Sequence, residues 1–583
     1  MSPIRRFLLH ALVAALCCLV PHGGAKNVPS VPADAFPLTL IHINDLHARF
    51  DETNQKSAGC TDPKVCIAGI ARVYHTIKRL KQEYKAKNPL YLNAGDNFQG
   101  TLWYNLLRWN VTAHLIKQLP PDAMTLGNHE FDHSPKGLAP YLAELEKLHI
   151  PTIVANLEMN GEPELKKSSI GRSVVLDLGG RKVGVIGALY DQTHLKAQTG
   201  KVTLTNSIDA VRKEAEKLKK TKVDIIVVLS HCGLDVDKQL AEAAGDLLDV
   251  IVGGHTHSLL LDKDANVPYD AKYDTIEGDY PIVVEKSNKH KVVITVTGHQ
   301  CRVLITQARS FGKYVGRLTV YFDQRGEVAS WEGHPIYMSH AVVQDPDVLR
   351  ALAPWREEVK RLGTQVIGSS EVFLDRESCR WCECTLGDLV ADAFADKYTS
   401  NSLKPIAIVQ AGNFRNPIGK GDITNGLAIE AAPYGSSVDM VRLSGYDLWR
   451  AIEHSFTLDD EYRWNTMQVS GLKVVADLSG QPYQRVRSID VIDAKGTKTP
   501  LDRKQTYSVV APSYLADGKD GFEMMKHGKD RVKGPLDSEV LIAYVRKQRK
   551  ITESMFREQR VVLEHHTNGT CSWSMDTERF KAQ

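Results

Sequence analysis

Five short apolar runs in the first half of the chain each end on residues that can hold a metal ion. Residues 38–43 lead into Asp45 and His47, 90–92 into Asp96, 123–126 into Asn128, 225–229 into His231, and 250–252 into His255 and His257. Imidazole, carboxylate and carboxamide donors mixed in this way suit borderline divalent ions such as zinc or manganese, and no cysteine is needed among them. Seven donors exceed what one tetrahedral ion takes. A carboxylate can bridge, so Asp96 is expected to serve two ions, with Asp45, His47 and His257 completing one set and Asn128, His231 and His255 the other. Two ions roughly 3.5 to 4 Å apart activate a water and clamp a phosphoryl oxygen during in-line displacement. The chemistry expected is hydrolysis of a phosphate ester or anhydride.

Inside the segment Gly127 to Asp132, His129 directly follows a metal donor. It is read as the group that stabilises the transition state or protonates the leaving oxygen. Asp132, three residues on, either orients the His129 ring or caps the helix that follows.

The elements that must carry these residues are legible from the same pattern. The apolar runs are too short and too β-branched for helices and read as buried strands. Helical stretches lie between several of them, at 70–83 and 139–148, so the alternation implies βαβ units with a largely parallel, doubly covered sheet. Ligands of open α/β sheets gather at the carboxyl ends of the strands, where all seven donors fall.

A chain of 583 residues calls for more than one domain, and the joint is placed at 345–363. Asp345-Pro346 is a helix start, and Val348, Leu352, Trp355, Val359 and Leu362 recur at helical spacing. Pro354 is expected to kink or break that helix. Acidic and basic residues nearly balance, at a formal net charge of +3, and no long basic run occurs, which excludes a nucleic-acid partner. Arg5-Arg6, an apolar stretch at 7–20 and small residues up to Ala25 have the layout of a cleaved signal peptide, too short for a membrane span. Its removal takes Cys17 and Cys18 away and leaves eight cysteines for an oxidising compartment. The tail at 564–583 is polar and lacks the hydrophobic stretch of a lipid-anchor signal, so the protein is expected to be extracellular and without a membrane anchor. Asn110 and Asn568 head glycosylation sequons.

The segments 41–49, 95–100 and 127–132 resemble the 5'-nucleotidase branch of the calcineurin-like metallophosphoesterases. The resemblance continues through Ser378-Cys379-Arg380, Asn413-Phe414-Arg415, Ala432-Pro433-Tyr434-Gly435 and residues 516–522, and so spans nearly the whole mature chain. It implies an α/β protein with a signal peptide at 1–25, an N-terminal four-layer αββα metallophosphoesterase domain at 26–343, a linker helix at 344–363, a C-terminal α/β nucleotide-binding domain at 364–563 and a polar tail at 564–583. It also implies that Tyr434 and Tyr514 stack on the base, Asp520 accepts from the ribose, and Arg380 and Arg415 hold phosphate. Gln410 offers a carboxamide, in a segment running Gln410-Ala411-Gly412-Asn413-Phe414-Arg415 where vertebrate members carry Asn-Gly-Gly-Gly-Ile-Arg; two glycines fewer make this loop stiffer. Disulfides Cys60–Cys66 and Cys379–Cys384 fit the family pattern, although Cys382 competes with Cys384 for Cys379. Cys232, Cys301, Cys382 and Cys571 stay unassigned, with free thiols expected among them.

Segments 102–111, 136–144 and 411–417 look most like the salivary apyrases of blood-feeding insects, mosquitoes above all. The function this implies is a secreted salivary hydrolase that removes the terminal phosphate of extracellular ATP and ADP, blunting platelet aggregation at a bite. Hydrolysis of AMP to adenosine is the alternative, and non-catalytic nucleotide scavenging a third reading. Calcium or magnesium is expected to support activity beside the zinc or manganese of the site. The oligomeric state is not legible.

Overall fold

The computed structural model describes residues 30–60, 62–285, 302–400, 403–457 and 466–565. The expected signal peptide, Cys301, Cys571, the Asn568 sequon and the tail past residue 565 lie outside the described residues. In chain order the first half supplies β1 (Phe36–Ile43), β2 (Pro89–Asn93), β3 (Ala123–Met124), β4 (Ser173–Leu178), β5 (Arg181–Leu189), β6 (Ile225–His231), β7 (Val250–Val252), β8 (Ile282–Glu285), β9 (Arg302–Thr306), β10 (Tyr314–Phe322) and β11 (Val328–Gly333). These strands build two sheets, ordered β11-β10-β1-β2-β3 and β8-β9-β7-β6-β5-β4.

Alternation along β1 sorts its side chains between two layers. Leu38 and Leu40 share a core with Val227, Leu229 and Leu304 of the other sheet. Ile41 and Ile43 face the opposite way, against Val73, Tyr74 and Ile77 of helix α1 (Ile70–Glu83). Helix α2 (Ser134–Lys147) joins that outer layer through Leu138, Tyr141 and Leu142. On the second sheet, α3 (Ser207–Lys220) and α4 (Leu234–Ala244) bury Val211, Ala215, Leu240 and Ala241. The result is the expected helix–sheet–sheet–helix stack, closed by apolar burial on both faces of each sheet.

The strand directions correct the largely parallel expectation. Parallel pairing is confined to β1-β2-β3 and to β9-β7-β6-β5, whereas β4, β8, β10 and β11 pair antiparallel. The reason lies in the connections. Gly179-Gly180 turns β4 into β5 in two residues, both at positive φ, and a tight hairpin can only join antiparallel strands.

Helix α5 (Pro346–Gly363) begins where Asp345 accepts the backbone N–H groups of Asp347 and Val348 at 2.9 and 3.2 Å. It runs unbroken through Pro354, so of the expected kink or break the break does not occur. Pro354 is exposed, so the carbonyl that loses its partner one turn earlier can turn to water. Beyond it, a five-stranded sheet orders Met467–Ser470, Ile406–Gln410, Thr506–Pro512, Val438–Ser444 and Lys529–Val532, and helix α6 (Asp537–Gln548) packs on its core through Val540, Leu541 and Val545. The last strand, Val561–Glu564, pairs in parallel with Leu472–Asp477.

Cys60–Cys66 and Cys379–Cys384 are both formed, and Cys382 is disulfide-bonded too, so it is no free thiol and does not displace Cys384. Cys232 is free and buried, and burial pushes its thiol up. Asn110 is exposed. Among the described residues no helix is long and apolar enough to cross a membrane.

Candidate active site

Six of the seven expected metal donors converge, and the seventh, Asn128, directly precedes His129, a member of one of the clusters they form. Asp45 and His47 follow β1, Asp96 follows β2, Asn128 follows β3, His231 closes β6, and His255 and His257 follow β7. Three clusters hold ligand atoms within 4.8 Å of one another: Asp45, His47 and His257; Asp96, His231 and His255; and His47, Asp96 and His129. Asp96 Oδ2 lies 3.1 Å from His231 Nε2 and 3.8 Å from His47 Nε2, between the two expected sets. Asp45 is equally central, with Oδ1 at 3.3 Å from His257 Nε2 and 3.9 Å from the Nε2 atoms of both His47 and His231.

Bringing donors from five strand ends to one point bends the backbone hard. Asp45, His47, Asp96, His255 and His257 all have positive φ, between 48° and 75°, a region that disfavours residues with a Cβ. Such strain persists only where surrounding bonds over-determine it. Here the first two loops are zipped together, Asp45 N donating to Gly95 O, His47 N to Asp96 O and Ala48 N to Asn97 O, each at 3.0 Å. Phe311 N donates to Asp45 O at 2.7 Å from the other side. Gly127 leaves the room that Asp96 needs, because a Cβ there would come within 2.1 Å of Asp96 Oδ1.

The donor set fits divalent cations. His231 Nδ1 donates to the Ala94 carbonyl at 2.7 Å, which fixes the tautomer and leaves Nε2 as the donor to a metal. That Nε2 and Asn128 Oδ1 are both buried without a hydrogen-bond partner, a costly state for atoms that serve no ion. Burial pushes the His47 imidazole well down, and burial with His231 pushes His255 to about 4, so both are neutral as ligands must be. For Asp45, burial favours the neutral acid, but His257 and His231 outweigh it and hold the carboxyl at about 2.

Beside the cluster, His129 packs edge-on to His47 with ring centroids 5.0 Å apart. Its Nδ1 donates to Asp132 Oδ2 at 2.7 Å. The first residue outside α2 is His133, with no side-chain cap, so Asp132 holds a ring and does not cap the helix. Burial alone would lower His129, but Asp132 and Asp96 raise it to about 9.

Glu130 escaped the sequence reading although it stands inside the quoted motif. Its buried carboxylate accepts four backbone N–H groups, from Asp96 at 3.0 Å, Asn97 at 2.7 Å, Phe98 at 3.3 Å and Gly127 at 2.6 Å. It thereby ties the Asp96 loop to the Asn128 loop. The only signal for it in the sequence was an acidic residue between His129 and Phe131 inside the metal-donor segment.

The expected nucleotide residues divide. A cavity of about 220 Å³ between the two halves is lined by Asn128 and His129 on one side and by Tyr434 and Tyr514 on the other. The two rings are 50% and 44% exposed, so their faces are open to a ligand. Tyr514 donates its hydroxyl to Asp520 Oδ1 at 2.9 Å, and Gln99 Nε2, from the metal loop, donates to Tyr434 O at 3.3 Å. Arg380, Gln410, Arg415 and Asp520 do not line this cavity. Arg415 is exposed, while Gln410 is buried with Oε1 unpartnered. Asp537, also missed, is fully buried behind the Tyr434 loop, where its carboxyl meets Asn413 and the backbone of Ser436 and Gly435.

Comparison with known proteins agrees in both halves. The calcineurin-like phosphoesterase model matches residues 38–259, and the model of the 5'-nucleotidase C-terminal domain matches residues 366–527. An apyrase of Anopheles gambiae is 74% identical over 571 residues, covering 98% of each chain, and an apyrase of Aedes aegypti is 60% identical over 88% of this chain and 90% of its own. Among solved structures, a 5'-nucleotidase precursor from Thermus thermophilus superposes with a TM-score of 0.59 at 33% identity, over 91% of this chain and 100% of that one. Divalent metals and a nucleotide substrate go with both halves, and the chain, a metal-dependent hydrolase, belongs to the 5'-nucleotidase family of calcineurin-like phosphoesterases.

Proposed function

We propose that this protein is a secreted apyrase that removes the terminal phosphate of extracellular ATP and ADP, with an anti-platelet role in saliva. The observation that carries the reading is the shared cavity, which sets two open tyrosine rings opposite His129 and the metal donors. The apyrase relatives, alike over nearly the full length, support the choice of anhydride substrates.

In this reading residues 26–343 form the catalytic domain, 344–363 the linker and 364–563 the nucleotide-binding domain. Asp45, His47, Asp96 and His257 would hold one divalent ion, and Asp96, Asn128, His231 and His255 the other, zinc or manganese by donor type. When bound, the two ions supply an activated water and neutralise the charge developing on the phosphoryl group. Tyr434 and Tyr514 hold the base by stacking, and Asp520 accepts from the ribose. Asp132 and Asp96 favour the charged form of the His129 ring against its burial. Asp132 occupies its Nδ1, so Nε2 is the atom that delivers a proton or hydrogen bond to the leaving oxygen. Arg380 and Arg415 act on phosphate after the C-terminal half moves at helix α5, a closure of the kind that often limits turnover.

Phosphate release from ATP, ADP and AMP tests the proposal. Turnover of ATP and ADP with little of AMP supports it. Turnover of AMP with little of ADP overturns it in favour of a 5'-nucleotidase, and stoichiometric binding with no phosphate release overturns it in favour of a scavenger.

A further inference from the structure

The wall of the active-site cavity contributed by residues 517–533 carries more cations than carboxylates. Lys196 Nζ, from the N-terminal half, meets Asp517 Oδ2 at 2.6 Å. Arg531 meets the other Asp517 oxygen at 2.7 Å and Asp439 at 2.7 Å, and Lys533 meets Asp439 at 2.9 Å. Three cations therefore share two carboxylates. Lys519 lines the same cavity, is exposed, and has no carboxylate partner among the described residues.

We infer that this wall, with Lys519 as the member that holds no carboxylate, selects nucleoside di- and triphosphates over monophosphates, an inference that rests on the function proposed above. Lys196, Lys519 and Lys533 line the cavity together with His129 and the two tyrosines. A nucleotide stacked on those rings, with its terminal phosphorus at the metal donors, lays its remaining phosphates along this surface. A monophosphate has no phosphate left over to meet it. The excess positive charge is only partly offset by Asp517 and Asp439, and a cavity focuses such a field on an anion. Lysine is suited to the task, since a flexible stem lets one point charge follow whichever phosphate is present. Lys196 is the clasp of the set, because it crosses from one half of the molecule to the other to reach Asp517, and a bound phosphate would compete with that carboxylate for it.

The test uses the full secreted protein and the variants K519A and K519R, with kcat/KM measured on ADP and on p-nitrophenyl phosphate, a monoester without further phosphates. A charge-assisted contact contributes about 1.5 to 3 kcal/mol, so K519A should lower the ratio of the two constants at least about tenfold. K519R should restore most of the ratio. The ADP constant of the wild type should also fall more steeply with added salt than that of K519A. A ratio unchanged within about twofold in K519A overturns the inference, whereas a wild type that fails to hydrolyse ADP at all overturns the apyrase reading itself. Lys519 lies on the surface, so loss of folding does not confuse the outcome.

Discussion

Replacing Glu130 by glutamine tests whether one buried carboxylate sets the spacing of the two metal loops. In the wild type each oxygen takes two backbone donors, Oε2 from Asp96 and Gly127 and Oε1 from Asn97 and Phe98. Glutamine keeps one accepting oxygen and turns the other into an NH₂ group, so two buried N–H donors face another donor. Each unsatisfied buried donor costs about 1–3 kcal/mol, which puts Glu130→Gln at roughly 2–6 kcal/mol of lost stability. Glu130→Ala strands four donors and costs roughly 4–12 kcal/mol, as much as the whole stability of many domains. Burial and Asp96 raise Glu130 to about 7, with the backbone donors opposing, so the comparison belongs at pH 8, where the wild type is ionised. The assay is denaturant unfolding of each variant together with its metal content by mass spectrometry. Glu130→Gln should unfold at markedly lower denaturant and hold fewer than two ions per chain, because Asp96 and Asn128 no longer keep their separation. A Glu130→Gln protein within about 0.5 kcal/mol of wild type, with full metal content, would refute the assignment of Glu130 as the tie between the loops.

His129→Ala should lower kcat by about 10²- to 10⁴-fold while circular dichroism and metal content stay at wild-type levels; near-normal turnover would remove His129 from the reaction. Tyr434→Ala and Tyr514→Ala should each raise KM for ADP by about 5- to 150-fold, the equivalent of one lost stacking contact of about 1–3 kcal/mol, and an unchanged KM in both would place the base elsewhere. Asp537 stands at about 7 in the folded protein because burial disfavours its charge, against 3.8 for the free group. A folded-state value above the unfolded one means stability that is complete below about pH 4 and lost as the pH rises through 7, up to about 4 kcal/mol. The thermal midpoint of wild type should therefore fall more between pH 5 and pH 8 than that of Asp537→Asn, and parallel profiles would show that Asp537 does not titrate in this window.

Legibility varied with how local the determinant was. The metal donors were readable because a buried strand announces itself by composition and because ligands collect where such strands end; Asp45, His231 and His257 needed no knowledge of their neighbours. Helix α1 and strand β7 have the bounds that their periodicity suggests. Pro354 misled, since a missing N–H breaks a helix only where the stranded carbonyl cannot reach water, and exposure is a property of the fold. Antiparallel β10 was missed because nothing in its own composition records which strand it will lie beside. Glu130 and Asp537 were missed for a related reason. Glu130 binds backbone N–H groups of other segments, Asp537 is buried only once the Tyr434 loop folds over it, and neither a backbone amide nor a distant loop leaves a residue-type signature.

What the sequence by itself determined is the reaction class, because two-metal hydrolysis depends on which atoms are donors, and residue identity specifies that. It also determined the strand ends that present those donors. The tertiary structure decided what residue identity cannot reach. It folded the loops of Asp45, Asp96 and His255 through positive-φ residues so that Asp96 stands between two histidine sets, and it turned Asp132 toward His129 and away from the helix. It also set Tyr434, Tyr514 and three lysines around one cavity with Asn128 and His129, while leaving Arg380, Gln410, Arg415 and Asp520 outside it. Those placements depend on distances between segments hundreds of residues apart, and only packing of the two halves sets such distances.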